Sequence, residues 1–300
     1  MQYTHVSFSD ESSSNSGRYR SIGMVSAPRP DALALHKETA KLLRDSGVEQ
    51  LRWRKIGTTK YRIAAEKVID ACAGAVSQGR LWVDVLIWDS QDSRNALPNP
   101  GSVASLQIMY FHLFKNVMSR RWPSDCVWRH IPDEQVGARW ETIESSLSAT
   151  DSCQVDEPAP GETPTPESFG ASIKRLFKVA EITECRSQEM RLTQISDMLA
   201  GMGAFSRERF AEYRAWKRNV GYDSTLFEAM RRKEPPGQLE KFQVLSHFEA
   251  RIYQLSLPVA IDQTNGLRTL DPSTPVNFWL YQPQSRFDKT RGKGDNELAW

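Results

Sequence analysis

Cysteine is scarce in this 300-residue chain: there are four, Cys72, Cys126, Cys153 and Cys185, far apart and without metal-type spacing. That argues against a disulfide scaffold or zinc ribbon and reads as the reduced thiols of a cytoplasmic protein. No run of about 18 uncharged apolar residues exists, which argues against a membrane span, and no membrane partner is expected. The start of the chain has no basic segment followed by an apolar run, so no secretory signal is visible. Charge of one sign is not in excess either. The formal charge is +2, too small for a global field that draws in nucleic acid, so any basic footprint must be local. There is no internal repeat. The five histidines lack metalloprotease spacing, and Gly201-Met202-Gly203 lies inside a helical pattern rather than a phosphate loop.

What is present is core-forming material. Hydrophobic residues make up 39%, with nine Trp, eight Tyr and twelve Phe, enough for one large core or a core domain with an appendage. Residues 5–11 alternate Val6 and Phe8 with Ser7 and Ser9 and end in Asp10-Glu11, which predicts a first strand with carboxylates at its carboxyl end. Arg18 to Ala27 predicts a second strand joined by a short polar turn. Pro30-Asp31 opens a helix that Gly47 ends, and a second helix runs from about Thr59 to Val76. Leu81 to Trp88 is the clearest buried strand. Ser102 is the expected cap of a helix running to Arg121, Asp125 to Ile131 is a short fourth strand, and Ala138 to Ser148 is helical in spacing. Residues 151–168 form an acidic, proline-rich loop. Leu176 to Thr183 resumes strand character, and Leu192 to Gly201 begins the last core helix.

Strand–helix alternation in the second half implies parallel pairing, while the first half has hairpin joins. The expected fold is therefore α/β, with a mixed five-stranded sheet, flanking helices and a helical insertion between strands two and three. Residues 1–218 form the core domain, and residues 219–300 a mostly helical C-terminal appendage. Within the appendage, Leu239 to Leu257 is helical in pattern, Val276 to Leu280 a late strand, and Arg286 to Lys293 basic.

Acids fall at the element ends: Asp10 and Glu11, Asp89, Asp133 and Glu134, with Glu184 past the fifth strand and Asp197 early in the last core helix. If strands one and four are parallel neighbours, Asp10 comes near Asp133, and the last helix brings Asp197. Carboxylates converging without a paired Arg repel one another unless a cation sits among them. Hard oxygen ligands of this kind suit Mg²⁺ or Mn²⁺, and two such ions about 4 Å apart clamp the attacking and leaving oxygens of a phosphodiester. Lys55 and Lys60 are candidate phosphate contacts. Gln194 is a candidate helix cap or partner of a metal-bound water. Arg207, Arg209, Arg214, Lys217 and Arg218, interleaved with Phe210, Tyr213 and Trp216, are a candidate nucleic-acid track.

Two motifs carry a resemblance. Phe8-Ser9-Asp10-Glu11, together with Gln194-Ile195-Ser196-Asp197 and the following Met198-Leu199-Ala200-Gly201, resembles an uncharacterised bacterial ribonuclease H-like family, domain of unknown function 3800. Leu51-Arg52-Trp53-Arg54-Lys55 is similar to that family's Lys-Trp-Ser-Lys region, with Arg in place of Lys before the Trp and of Ser after it. The resemblance covers about residues 3–205. It implies a ribonuclease H-like fold and a metal-dependent nuclease site holding Asp10, Glu11 and Asp197, whereas Asp133 comes from strand order alone. Helix 102–121 has no Glu, so the acid that ribonuclease H carries on its first core helix is absent. The expected function is phosphodiester hydrolysis of RNA or DNA by a two-metal mechanism, with Asp10, Asp133 and Asp197 as metal ligands. The alternative is a catalytically inactive module that binds nucleic acid, or a protein partner through the C-terminal region. Family analogy alone adds a bacterial defence or mobile-element setting.

Overall fold

The computed structural model describes residues 3–12, 17–91, 103–117, 121–123, 125–134, 179–219, 235–261, 265–271 and 273–282. The helix expected over 138–148, the acidic loop 151–168, the Ser102 cap and the basic stretch 286–293 lie outside these. The strands are β1 (His5–Ser12), β2 (Tyr19–Pro28), β3 (Trp82–Asp89), β4 (Trp128–Pro132), β5 (Val179–Ile182), β6 (Val259–Ala260), β7 (Arg268–Thr269) and β8 (Val276–Leu280). The helices are α1 (Arg29–Asp45), α2 (Thr59–Ser77), α3 (Val103–Val117), α4 (Arg191–Glu208), α5 (Phe210–Asn219) and α6 (Pro236–Gln254). None is long and apolar enough to cross a membrane.

Six strands form one mixed sheet in the order β5-β4-β1-β2-β3-β8, and β6 pairs with β7 separately. β1, β2 and β3 run antiparallel as consecutive neighbours, whereas β1–β4, β4–β5 and β3–β8 are parallel. The expected five strands become six because β3 is buried along all but its first residue. As an edge it would leave a row of unpaired backbone groups, and β8 covers that row. The C-terminal region, expected as a mostly helical appendage, contributes to this core. Leu239, Phe242, Val276 and Phe278 are buried in the same core cluster as Val83 and Val85.

Helices cover both faces. On one, α1, α2, α4 and α6 close over Phe8, Val25, Val85 and Ile131; on the other, α3 packs on Ile22, Met24, Leu86 and Trp128. Gly23 lets α4 lie directly on β2, since a Cβ there would come 2.3 Å from the Ser196 carbonyl oxygen. Ser196 Oγ donates to the Phe8 carbonyl at 2.9 Å and Ser21 Oγ to that of Ala200 at 2.7 Å, pinning α4 across β1 and β2.

Under α3, the imidazole of His130 sits between Ser7 Oγ at 2.9 Å and Ser9 Oγ at 3.1 Å, and Tyr110 Oη lies 3.2 Å from Ser9 Oγ. Complete burial pushes His130 down to about 3, against about 6.5 in an unfolded chain. Between those values the unfolded state binds the extra proton. The contribution of His130 to stability is thus full above about pH 6.5 and is lost as the pH falls, by about 1.4 kcal/mol per pH unit. In His130→Gln, urea unfolding followed from pH 6.5 to pH 4 is expected to show one proton less of pH dependence than the wild type. Equal slopes would place a charged imidazole in the folded core.

Candidate functional site

The period-two pattern of β1 puts Val6, Phe8 and Asp10 on the α4 face. β4 runs parallel beside it, with Phe8 opposite Ile131 and Ser9 opposite Pro132. One step further, Asp133 lies alongside Asp10, its N–H donating to the Ser9 carbonyl at 3.0 Å. α4 brings Asp197 over the same strand end, and three sequence-distant carboxylates meet. Asp10 and Asp133 are 3% and 2% exposed.

Burial, then the charges of Asp197 and Asp133, hold the Asp10 carboxyl well above the usual carboxylate range. Burial pushes Asp197 up to about 6, opposed by a hydrogen bond from the Trp53 N–H and by Arg52. Glu11, at the cleft wall, is pushed up to about 7, chiefly by burial. No donor reaches the buried Asp10 Oδ2, but the Asp10 carboxyl lies within hydrogen-bond reach of that of Asp133, which further favours its protonated form.

The Gln-x-x-Asp motif has a local explanation. Residues three apart share a helix face, and here both accept from the segment before α2. Gln194 Oε1 takes the Leu51 N–H at 2.9 Å, and Asp197 Oδ2 takes the Trp53 N–H at 2.7 Å. Gln194 Nε2 donates to the Ser187 carbonyl. Gly201 leaves room for the Trp53 ring, which a Cβ would meet at 2.3 Å. The segment therefore enters the site held by α4, and Arg52 comes with it. Arg52 Nη2 lies 3.5 Å from Asp133 Oδ2 and donates to Ser187 Oγ. The acids thus meet with an Arg beside them, contrary to the expectation from sequence.

Other expected residues fall elsewhere. Gln194 is fully buried among protein partners, so it caps no helix and faces no solvent-filled site. Lys55 donates to Gln50 Oε1 at 2.9 Å and does not line the acidic cleft. Arg207 is mostly buried and donates to the Leu267 carbonyl at 3.1 Å. Asp89 pairs with Arg18 at 2.7 Å, and Glu134 with Arg186 at 3.2 Å. On α5 and the turn before it, Arg209 pairs with Glu212 and Lys217 with Glu249. Tyr213 and Trp216 are buried against Phe242 and belong to the core, whereas Arg214 lies over the Phe210 ring and Arg218 is exposed.

The cluster opens into a cleft of about 280 Å³, lined by Asp10, Glu11, Asp197 and Glu208 together with Arg52, Arg54 and Lys241, around Trp53 and Phe205. Lys241 and Arg54 were missed from sequence; the resemblance reached Arg54's segment, but nothing local marked Lys241. The donors fit a divalent cation in chemistry: hard oxygens, mutual repulsion and an orphaned Oδ2. Among the described residues, however, no three His, Cys, Asp or Glu side chains are arranged to hold one ion as they stand.

Gln194→Leu is expected to lower stability by about 1–3 kcal/mol, because the Leu51 N–H is left buried and unpaired. Urea unfolding reads this directly. Full stability with lost activity would instead return Gln194 to the chemistry.

No protein-family model and no solved structure matches the chain. Two proteins of Methanothermobacter thermautotrophicus do. "Uncharacterized protein ORF2'" is 35% identical over 298 residues, across 94% of this chain and 95% of its own length. "Uncharacterized protein ORF2" is 33% identical over 290 residues, with 94% and 95% covered. Identity at this level over nearly the full length of both partners places the chain in the same protein family as ORF2 and ORF2'.

Proposed function

We propose that the chain is a ribonuclease H-like, Mg²⁺- or Mn²⁺-dependent nuclease that hydrolyses phosphodiester bonds. The observation that carries this reading is the approach of Asp10 on β1, Asp133 just past β4 and Asp197 on α4, close enough for their charges to raise the Asp10 carboxyl, with no hydrogen-bond donor on Asp10 Oδ2. Within the order β5-β4-β1-β2-β3-β8, the three antiparallel strands β1 to β3 with β4 and β5 parallel beyond β1 support the ribonuclease H-like assignment, β8 being added at the edge. The resemblance of the two motifs to domain of unknown function 3800 supports it too.

Asp10, Asp133 and Asp197 would hold the cation. Bound there, it supplies charge neutralisation and activation of the attacking water. Arg52 offsets part of the acid repulsion and restrains Asp133. The Trp53 N–H fixes the Asp197 carboxylate, and Glu11 stands at the cleft wall to orient water. Cytoplasmic nucleic acid, RNA or DNA, is the proposed substrate.

A panel of single- and double-stranded RNA and DNA with Mg²⁺ and with Mn²⁺ tests the reading. Cleavage is expected, and Asp197→Asn is expected to lose it. Thermal unfolding is an independent check, since an ion that binds only the folded state raises Tm with its concentration. A second reading, a non-catalytic binding module, draws on the Arg52–Asp133 proximity of 3.5 Å, which already gives the acids a counter-charge. It predicts neither cleavage nor an ion-dependent Tm.

A further inference from the structure

Helix α6 lies outside the motif-bearing segments, yet it sends Lys241 into the acidic cleft. The Lys241 Nζ lies 5.6 Å from the Trp53 ring centroid and 5.7 Å from that of Phe205. The two rings pack edge to face at 5.3 Å and form its seat. Across Trp53, the exposed Arg54 lines the same cleft. Among the described residues neither cation makes a hydrogen bond or ion pair with a carboxylate. Cations elsewhere on the molecule are engaged: Arg62 with Glu66 and Glu240, Lys217 with Glu249, and Arg251 with Asp70.

Holding a half-buried ammonium against aromatic faces rather than a carboxylate leaves its donors available to an incoming anion. Burial pulls Lys241 downward while the Asp197 charge favours its protonated form. The floor of the cleft is acidic and repels a free anion. A strand that carries several phosphates is different, because it can place one at the acids and others on the two cations.

We propose that Lys241 and Arg54 form a clamp for the phosphate backbone of a nucleic-acid strand, seating it beside the carboxylate cluster; this rests on the nuclease reading of that cluster. The clamp grips phosphate rather than bases, so it positions the strand without reading its sequence. Residues before α2 and on α6 thus complete a site whose acids come from β1, β4 and α4.

The test uses the full chain and a fluorescein-labelled oligothymidylate, with binding followed by fluorescence anisotropy in EDTA across a salt series. Lys241→Gln and Arg54→Gln are each expected to weaken binding about fivefold to tenfold and to lower the salt slope by about 0.7. Lys241→Arg is expected to restore most of the affinity, and Lys217→Gln, remote and ion-paired, to bind like the wild type. Unchanged affinity and slope in both Gln variants overturns the clamp, as does an equal loss in Lys217→Gln. Inorganic phosphate or a mononucleotide competing as strongly as the strand also overturns it, since a lone phosphate would then suffice.

Cleavage with Mn²⁺ separates this from the parent reading. A wild type that cleaves, with KM unchanged in Lys241→Gln, removes the clamp and leaves the nuclease. A wild type that binds through Lys241 without cleaving any substrate keeps the clamp and removes the nuclease. A wild type that does neither removes both.

Discussion

On the proposed nuclease reading, Asp10→Asn is expected to reduce phosphodiester cleavage by at least about 100-fold while making the protein harder to unfold at pH 8 in the presence of a chelator. The two effects share one cause. Asp10 is buried beside Asp133 and Asp197, and its Oδ2 accepts no hydrogen bond. A charge in that position is unfavourable without a cation, and an unpaired buried charge destabilises the fold. With its pKa raised in the folded state, the group contributes stability at low pH that is lost as the pH rises through the raised value. Asparagine never ionises and escapes that loss. The stability advantage of the variant is therefore expected to shrink as the pH is lowered.

Activity moves the other way, because the amide is a poor ligand for a hard divalent cation. Such an ion supplies several kcal/mol of transition-state stabilisation, and each 1.4 kcal/mol is tenfold in rate. Urea unfolding at pH 8 and pH 5, beside a single-turnover cleavage assay, measures both. A variant that is less stable at pH 8 in chelator would give the carboxylate a structural role and remove the argument for a cation site.

The second large effect lies at the far edge of the sheet. Asp84, in the middle of β3, is fully buried. Its Oδ1 accepts from Arg121 Nη2 at 2.9 Å, Arg121 Nε at 3.1 Å and Asn277 Nδ2 at 3.1 Å. Asp84 stands opposite Asn277 in the β3–β8 ladder, and Arg121 Nη1 reaches the Thr274 carbonyl at 3.4 Å. The ion pair thus ties three remote segments together. Arg121→Leu leaves a carboxylate buried without its cation and is expected to lower stability by about 3–5 kcal/mol. Hydrogen exchange over 276–280 should quicken in step. Adding Asp84→Asn to Arg121→Leu removes the stranded charge, so the double variant is expected to recover much of the loss, which a double-mutant cycle measures. A double variant no better than Arg121→Leu alone would mean that the pair is not coupled.

Some of this could be read directly from the chain. β1, β3 and α4 show clear periodicity and turn signals, and the alternation along β1 already separates Asp10 from Ser9 by face, although Glu11 at the strand end still lines the cleft. The parallel neighbour relation of β1 and β4, and with it the approach of Asp133 to Asp10, follows from strand–helix alternation. The Gln-x-x-Asp spacing marks one face of one helix turn.

Other features could not be read that way. Period two tells which residues share a face, but not which strand lies alongside, so β8 looked like a late strand with no place until the exposed ladder of β3 received it. Gln194 and Arg207 are polar residues whose partners, Leu51 and Leu267, lie 143 and 60 positions away. Nothing local distinguishes such a buried hydrogen bond from a solvent-facing contact. Arg52 and Lys241 reach the acids only because α4 holds the segment before α2 and α6 packs over both. Local pattern sets element type and facing through backbone stereochemistry. The company each charge keeps depends on packing between distant segments, and that company decides whether a carboxylate is a surface turn or part of a site.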